Sequence, residues 1–170
     1  MSIKEVDIFP SLEFAKGYVA GFFDGEGSVG LYFHENYPRP VISITNCHRH
    51  VLNYISFLLL PILKIDVKCQ RNLLEAIKDP ENAVIQVRMQ SWEGVKSFVD
   101  LFKDICIVKR KELELMGQAI RLHQELISEH KGRKVYSEAN TEAFRRITNE
   151  MKMVKMRKTK KTRAKYEKSC

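Results

Sequence analysis

Residues 17–27 read Gly17-Tyr18-Val19-Ala20-Gly21-Phe22-Phe23-Asp24-Gly25-Glu26-Gly27. Helical spacing leads into them: Ala15, Tyr18, Val19, Phe22 and Phe23 recur at i, i+3, i+4, i+7 and i+8. Ser11, after Pro10, suits an N-cap. The pattern predicts a helix over residues 12–24, ended by Gly25-Glu26-Gly27. Gly17 and Gly21 fall in its interior, where each costs roughly 1 kcal/mol relative to Ala. Small residues make sense there if another backbone comes very close. Gly17, Ala20 and Gly21 are therefore expected to face a partner helix.

Asp24 and Glu26 close this helix, and carboxylates at a helix C-terminus oppose its dipole. A nearby cation is expected to compensate, most naturally a divalent metal. Only one such helix occurs in the chain; if its partner is the same helix of a second protomer, a twofold axis runs between them. Two copies of Glu26 then lie together. Oxygen donors of this kind suit Mg²⁺, and paired acidic metal sites suit phosphodiester hydrolysis. Two other templates touch the stretch and fail. Gly25, Gly27 and Gly30 satisfy G-x-G-x-x-G, but a dinucleotide site needs a strand before it and a helix after it. Asp24, Glu26, Ser28 and Glu35 match four positions of a calcium loop, but Val29 stands where that loop needs Gly.

Outward from this helix, residues 28–34 and 41–46 read as strands, joined by a turn-rich link, Glu35 to Pro40. Residues 49–60 return to helical spacing, stopped by Pro61. Residues 65–73 and 83–90 suggest a second strand pair around Lys78-Asp79-Pro80-Glu81-Asn82. Helices are expected over residues 93–103 and 110–129, the latter with Leu113, Met116, Ile120, His123 and Ile127 on one face. A last helix from Glu138 carries Phe144, Ile147, Met151 and Val154. Helix, hairpin, helix, hairpin, helix describes an α+β fold. Helices cover one face of an antiparallel sheet, and its other face is left polar and open.

The 170 residues carry a net charge of +8, very unevenly spread. Residues 131–170 hold 14 Lys/Arg against 4 Asp/Glu, whereas residues 1–130 hold 15 against 17. Such a basic segment marks a polyanion partner, first of all nucleic acid. The expected division is a domain over residues 1–150 and a basic tail over 151–170. The longest apolar stretch, Ile55 to Leu63, is interrupted and too short for a bilayer span. The N-terminus shows no signal-peptide pattern. Cys47, Cys69, Cys106 and Cys170 form no CxxC pair and read as reduced thiols. Cys47-His48-Arg49-His50 matches no common zinc spacing and reads as a helix start. These features point to an intracellular protein, in a prokaryotic cytoplasm or an organelle.

Val19-Ala20-Gly21-Phe22-Phe23-Asp24-Gly25-Glu26-Gly27 closely resembles the nonapeptide that names the LAGLIDADG homing endonucleases. The resemblance extends through Ser28, the strand pair ending Ile44-Thr45-Asn46, the helix and the second strand pair, over roughly residues 12–130. Chains with a single motif copy, such as this one, resemble the homodimeric members. The resemblance implies an intron-encoded, site-specific endonuclease that makes a staggered double-strand break, with 3′ overhangs, in a long, roughly palindromic DNA target. It implies that Glu26 binds the metal, Mg²⁺ or another hard divalent ion such as Mn²⁺, with Gly25 adding its backbone carbonyl. Asp24 would hold the helix end and the interface, close to the metal. A pocket around the attacking water would include Lys109, Asn46 and either His50 or Arg49. The family often has Gln and Arg at the last two places, and this chain departs from that.

Base contacts in the family come from the open sheet face. The alternating candidates are Gly30, Tyr32 and His34, then Arg39, Val41 and Ser43, then Lys68, Gln70 and Asn72, then Gln86 and Arg88. A one-residue slip of register would exchange the face they occupy. Two rival readings remain: a non-cleaving nucleic-acid-binding protein of this fold, acting on intron RNA as a maturase or on DNA as a regulator, and an unrelated basic ribonucleoprotein component.

Overall fold

Ser11 starts the first helix as expected, its hydroxyl accepting from the Phe14 amide at 3.2 Å. The computed structural model describes residues 10–63, 68–71, 85–129 and 136–167. In chain order the elements are α1 (Leu12–Glu26), β1 (Gly27–His34), β2 (Tyr37–Asn46), α2 (Arg49–Leu63), β3 (Lys68–Arg71), β4 (Ile85–Met89), α3 (Trp92–Phe102), α4 (Arg110–Glu129) and α5 (Glu138–Glu167). The four strands form one antiparallel sheet in the order β1-β2-β4-β3. The helices pack on one face of it, so the fold is the α+β arrangement expected from the sequence. Asn72 and the Lys78–Asn82 link lie outside the described residues.

The core is apolar and draws on every helix. Val19 and Phe23 of α1, Leu52, Ile55 and Leu59 of α2, Phe98 and Phe102 of α3, and Leu113 and Met116 of α4 are each less than 1% exposed. The inward sheet positions Val29, Ile42, Ile44 and Val87 meet them. His123 joins this core through a polar handle: it stacks on Trp92, ring centroids 4.0 Å apart, and its Nδ1 lies 2.7 Å from the Tyr136 hydroxyl. Ser91 caps α3 through the Gly94 amide, and Ser137 caps α5 through the Asn140 amide.

The first helix runs two residues past its expected end, to Glu26, and three further boundaries differ from the sequence reading. First, β2 begins at Tyr37, so Glu35-Asn36 is a two-residue hairpin turn with Glu35 at φ 56°. Pro38 and Pro40 are tolerated because β4 reaches β2 only from Ile42 onward. In that half of β2 no neighbour on the second side loses a hydrogen bond to proline. Second, α2 runs through Pro61 to Leu63. Burial of Leu58, Leu59 and Leu63 holds the last turn on the core and outweighs the one backbone bond that Pro removes. Third, α5 continues past residue 150 to Glu167, so the basic segment is a continuation of the last helix.

α5 lies along β1. Thr141 Oγ1 donates to the Asn36 carbonyl at 3.4 Å, Arg145 stands 5.9 Å from the centre of the Phe33 ring, and Lys155 Nζ donates to the Val29 carbonyl at 2.7 Å. These anchors follow β1 from its hairpin end back to the end beside α1.

Candidate active site and nucleic-acid interface

Asp24 sits in the last turn of α1, and both its oxygens are in use. Oδ2 accepts from the Ile107 amide at 2.7 Å and Oδ1 from the Lys109 amide at 2.8 Å. Partial burial disfavours its charge. Backbone hydrogen bonds from Ile107, Lys109 and Val108, together with the Lys109 charge, outweigh that and bring its pKa below the ordinary 3.8. Where a cation was expected, this acid is thus compensated largely by neutral backbone amides, on the loop between α3 and α4, with the Lys109 charge adding to them. Beneath the loop, the buried Cys106 thiol faces the Ala20 carbonyl at 3.9 Å. Burial, and then the neighbouring Asp24 charge, push that thiol up to about 12, so it stays neutral.

Glu26 is the last residue of α1 and is exposed, as is Gly25 before it. Gly27 pairs with Ile44 across the sheet, which puts Glu26 at the end of the sheet where Asn46 closes β2. The Asn46 side chain acts locally, its Oδ1 accepting from the His48 amide at 2.8 Å and shaping the entry to α2. Arg49 and His50 follow, both exposed in the first turn of α2. The structure ties Lys109 to Asp24 directly and places Asn46 and His50 at the same end of the sheet as Glu26. Among the described residues no three His, Cys, Asp or Glu side chains cluster as a metal site. Glu26 and the Gly25 carbonyl are hard oxygen donors, which fits Mg²⁺ chemistry.

The row Gly17, Gly21, Gly25 is open. Among the described residues, a Cβ built on any of the three meets nothing within 4 Å. Gly27 contrasts with them, since its Cβ would run into the Phe23 ring and carbonyl. Ala20 does not share the open row: it is 3% exposed and belongs to the protomer's own core. The expected interface residue is corrected on that point. Counted from Gly17, Ala20 lies about 60° round the helix in one sense, toward the core, whereas Gly21 and Gly25 lie about 40° and 80° round it in the other.

The pairing register brings the sheet candidates onto one face. Tyr32 pairs with Arg39, Ser43 with Arg88, Lys68 with Arg88 and Gln70 with Gln86. Tyr32, His34, Arg39, Gln86 and Arg88 alternate with the buried inward positions, and Ser43 shares their parity although it is 5% exposed. Ser28, Tyr37 and Thr45 belong to the same face and were not singled out from the sequence. Thr45 Oγ1 accepts from Gln86 Nε2 at 3.5 Å. This face carries Arg39 and Arg88, with Lys68 in register beside Arg88, and among the described strand residues no acid.

Residues 13–103 match the family model described as the LAGLIDADG-like domain. The chain belongs to the LAGLIDADG family. Comparison with curated proteins gives no match. Among solved structures it is similar to the homing endonuclease I-CvuI in complex with the I-CreI target: TM-score 0.60, 13% identity, 84% of this chain and 83% of that chain covered. It is similar to the archaeal intron-encoded homing endonuclease I-Vdi141I complexed with DNA, with TM-score 0.53, 16% identity and coverage of 84% and 99%. The LAGLIDADG meganuclease I-AabMI bound to uncleaved DNA matches at TM-score 0.51 and 21% identity, over 65% of this chain and 37% of that one. At these identities the likeness is one of fold.

Within this LAGLIDADG fold, the feature least visible in sequence is the loop that Asp24 holds. Ile105, Ile107 and Val108 are 41%, 81% and 49% exposed. In sequence they read as a plain apolar interruption between two helices. Only the long-range bond to Asp24 shows that the loop is pinned.

Proposed function

We propose that this protein is a homodimeric, metal-dependent DNA endonuclease that cuts both strands of a long, roughly palindromic target. The observation that carries this reading is the open glycine row. Gly17 and Gly21, inside the helix, cost about 1 kcal/mol each relative to Ala, and among the described residues nothing fills the space above them or above Gly25. A second α1 seated there gives them a purpose and brings Glu26 of each protomer toward the twofold axis.

Glu26 and the Gly25 carbonyl would hold Mg²⁺ or Mn²⁺. Such an ion, when bound, acidifies a coordinated water and neutralises phosphate charge. Lys109, fixed through its backbone by Asp24, presents its ammonium to the phosphate and orders water beside it. Asn46 retains its amide NH₂ as a donor toward the pocket, and His50 or Arg49 completes the polar lining. The open sheet face lies in the major groove, where Arg39, Arg88, Gln86, Lys68 and Gln70 contact base edges. The basic end of α5 adds phosphate contacts, hence affinity without sequence information. A host intron, and a cellular location inside a prokaryote or an organelle, belong to the same proposal.

Selection of cleaved sites from a randomised duplex library, with Mg²⁺ and with EDTA, tests it. Recovery of a near-palindrome cut on both strands only with Mg²⁺ is the expected result. Retention of duplex or structured RNA with no cleavage in either buffer would replace it with the binding-protein reading.

A further inference from the structure

The open face of α1 is a groove with unlike walls. Its floor is the glycine row. One wall is aromatic: Phe14, Tyr18 and Phe22 stack in sequence at centroid distances of 6.1 and 6.5 Å. The wall continues onto α2 through Tyr54, 5.5 Å from Tyr18. The other wall is the loop that Asp24 holds, from which Ile107 projects at 81% exposure with Val108 beside it. A large aliphatic side chain fixed in water by two backbone anchors is unusual for a surface loop.

We infer that the Ile107–Val108 hook is a second contact of the homodimer, seated on the aromatic wall of the other copy and reaching the partner's Phe22. The inference rests on the proposed homodimer. A twofold axis running between the two α1 helices and parallel to them turns one protomer's aliphatic wall toward the other's aromatic wall. Phe22 and Asp24 are two residues apart in α1, so hook and ring stand at the same level along the helix. The occupant is therefore a second copy, because the hook is continuous through Asp24 with the glycine floor that the same copy covers. Glycines alone offer little area, whereas a stable interface hides about 800 Å² per partner.

The arrangement makes Ile107 a positioning residue for Lys109. The loop is held from one side by its own Asp24 and from the other by the partner. Dimer assembly then fixes the lysine in both sites at once.

The test is sedimentation over a concentration series, with cleavage rates measured alongside. The variants are Ile107→Ser and the conservative Ile107→Val. Ile107→Ser is expected to raise the dimer dissociation constant at least about tenfold, since each interface loses two such contacts by symmetry. Its cleavage rate should return toward wild type at protein concentrations well above that constant. Ile107→Val should behave like wild type in both assays. Mixing Ile107→Cys with Phe22→Cys protomers under oxidation should give an intermolecular disulfide between the two substituted positions. An unchanged dissociation constant for Ile107→Ser, or absence of that cross-link, overturns the inference while leaving the dimer intact. A wild-type chain that is monomeric throughout overturns the dimer reading itself.

Discussion

The Asp24 carboxylate accepts a hydrogen bond from the Lys109 amide at 2.8 Å, joining the end of α1 to a loop 85 residues later in the chain. The first acid of the motif is thereby engaged as a backbone clamp. Asp24→Asn replaces one accepting oxygen with an NH₂ group that faces the amides it should receive. Cleavage is expected to fall at least about tenfold with DNA affinity little changed, as single-turnover rates and gel shifts would show. The pH dependence of folding changes too. The Asp24 pKa is lower folded than unfolded, so its contribution is complete above the ordinary value of 3.8 and is lost as pH falls through the depressed folded value. Acid titration of stability in the Asn variant should lack that component.

Glu26 has the opposite character: exposed at the helix end, where Asp24 is engaged. Glu26→Gln keeps the shape and removes the charge a divalent ion requires. Cleavage should drop to background in Mg²⁺ and in Mn²⁺ while duplex binding remains within about twofold. Cutting at the wild-type rate by this variant would remove Glu26 from the proposed site.

Gly21 separates fold from assembly. A Cβ there meets nothing among the described residues of the protomer, and Gly→Ala in a helix interior gains about 1 kcal/mol. Gly21→Leu is expected to melt no lower than wild type at low protein concentration and yet to sediment as a monomer. A Leu variant that dimerises normally would show that α1 is not the dimer contact.

The fold was legible because its periodicities are clean. Of the expected α4 face, Leu113, Met116, Ile120 and His123 are buried as their spacing requires, and Ile127, near the helix end, only partly. The strand alternation around Tyr32, Arg39 and Arg88 survived into the register. Pro38 and Pro40 hid half of β2, because a proline's tolerance depends on which neighbour a strand lacks, and that is a tertiary fact. Ala20 looked like one of the small interface residues, because composition does not say which way a small side chain points. The Asp24 clamp was out of reach for the same reason: hydrogen-bond partners more than 80 residues apart leave no local pattern.

The thiols report on the same loop. Cys106 is buried, with its pKa pushed up to about 12, whereas Cys47 is exposed. Brief alkylation of the native protein near pH 8, mapped by mass spectrometry, should modify Cys47 and spare Cys106. Asp24→Asn should raise labelling of Cys106 if the clamp also closes the loop over it. Equal labelling of both thiols in the wild type would contradict the packing around Ala20.

The course of α5 along β1 has a bearing on how the chain behaves in concentrated solution. β1 is the outermost strand of its sheet, and an outermost strand presents free backbone groups that can template addition of a strand from another molecule. Lys155 occupies the Val29 carbonyl, and α5 lies against the strand from the hairpin turn to this point. A chain shortened ahead of α5 would keep its motif and all four strands yet leave the β1 edge uncovered. The last helix thus covers this edge of the sheet, independently of any phosphate its basic end touches.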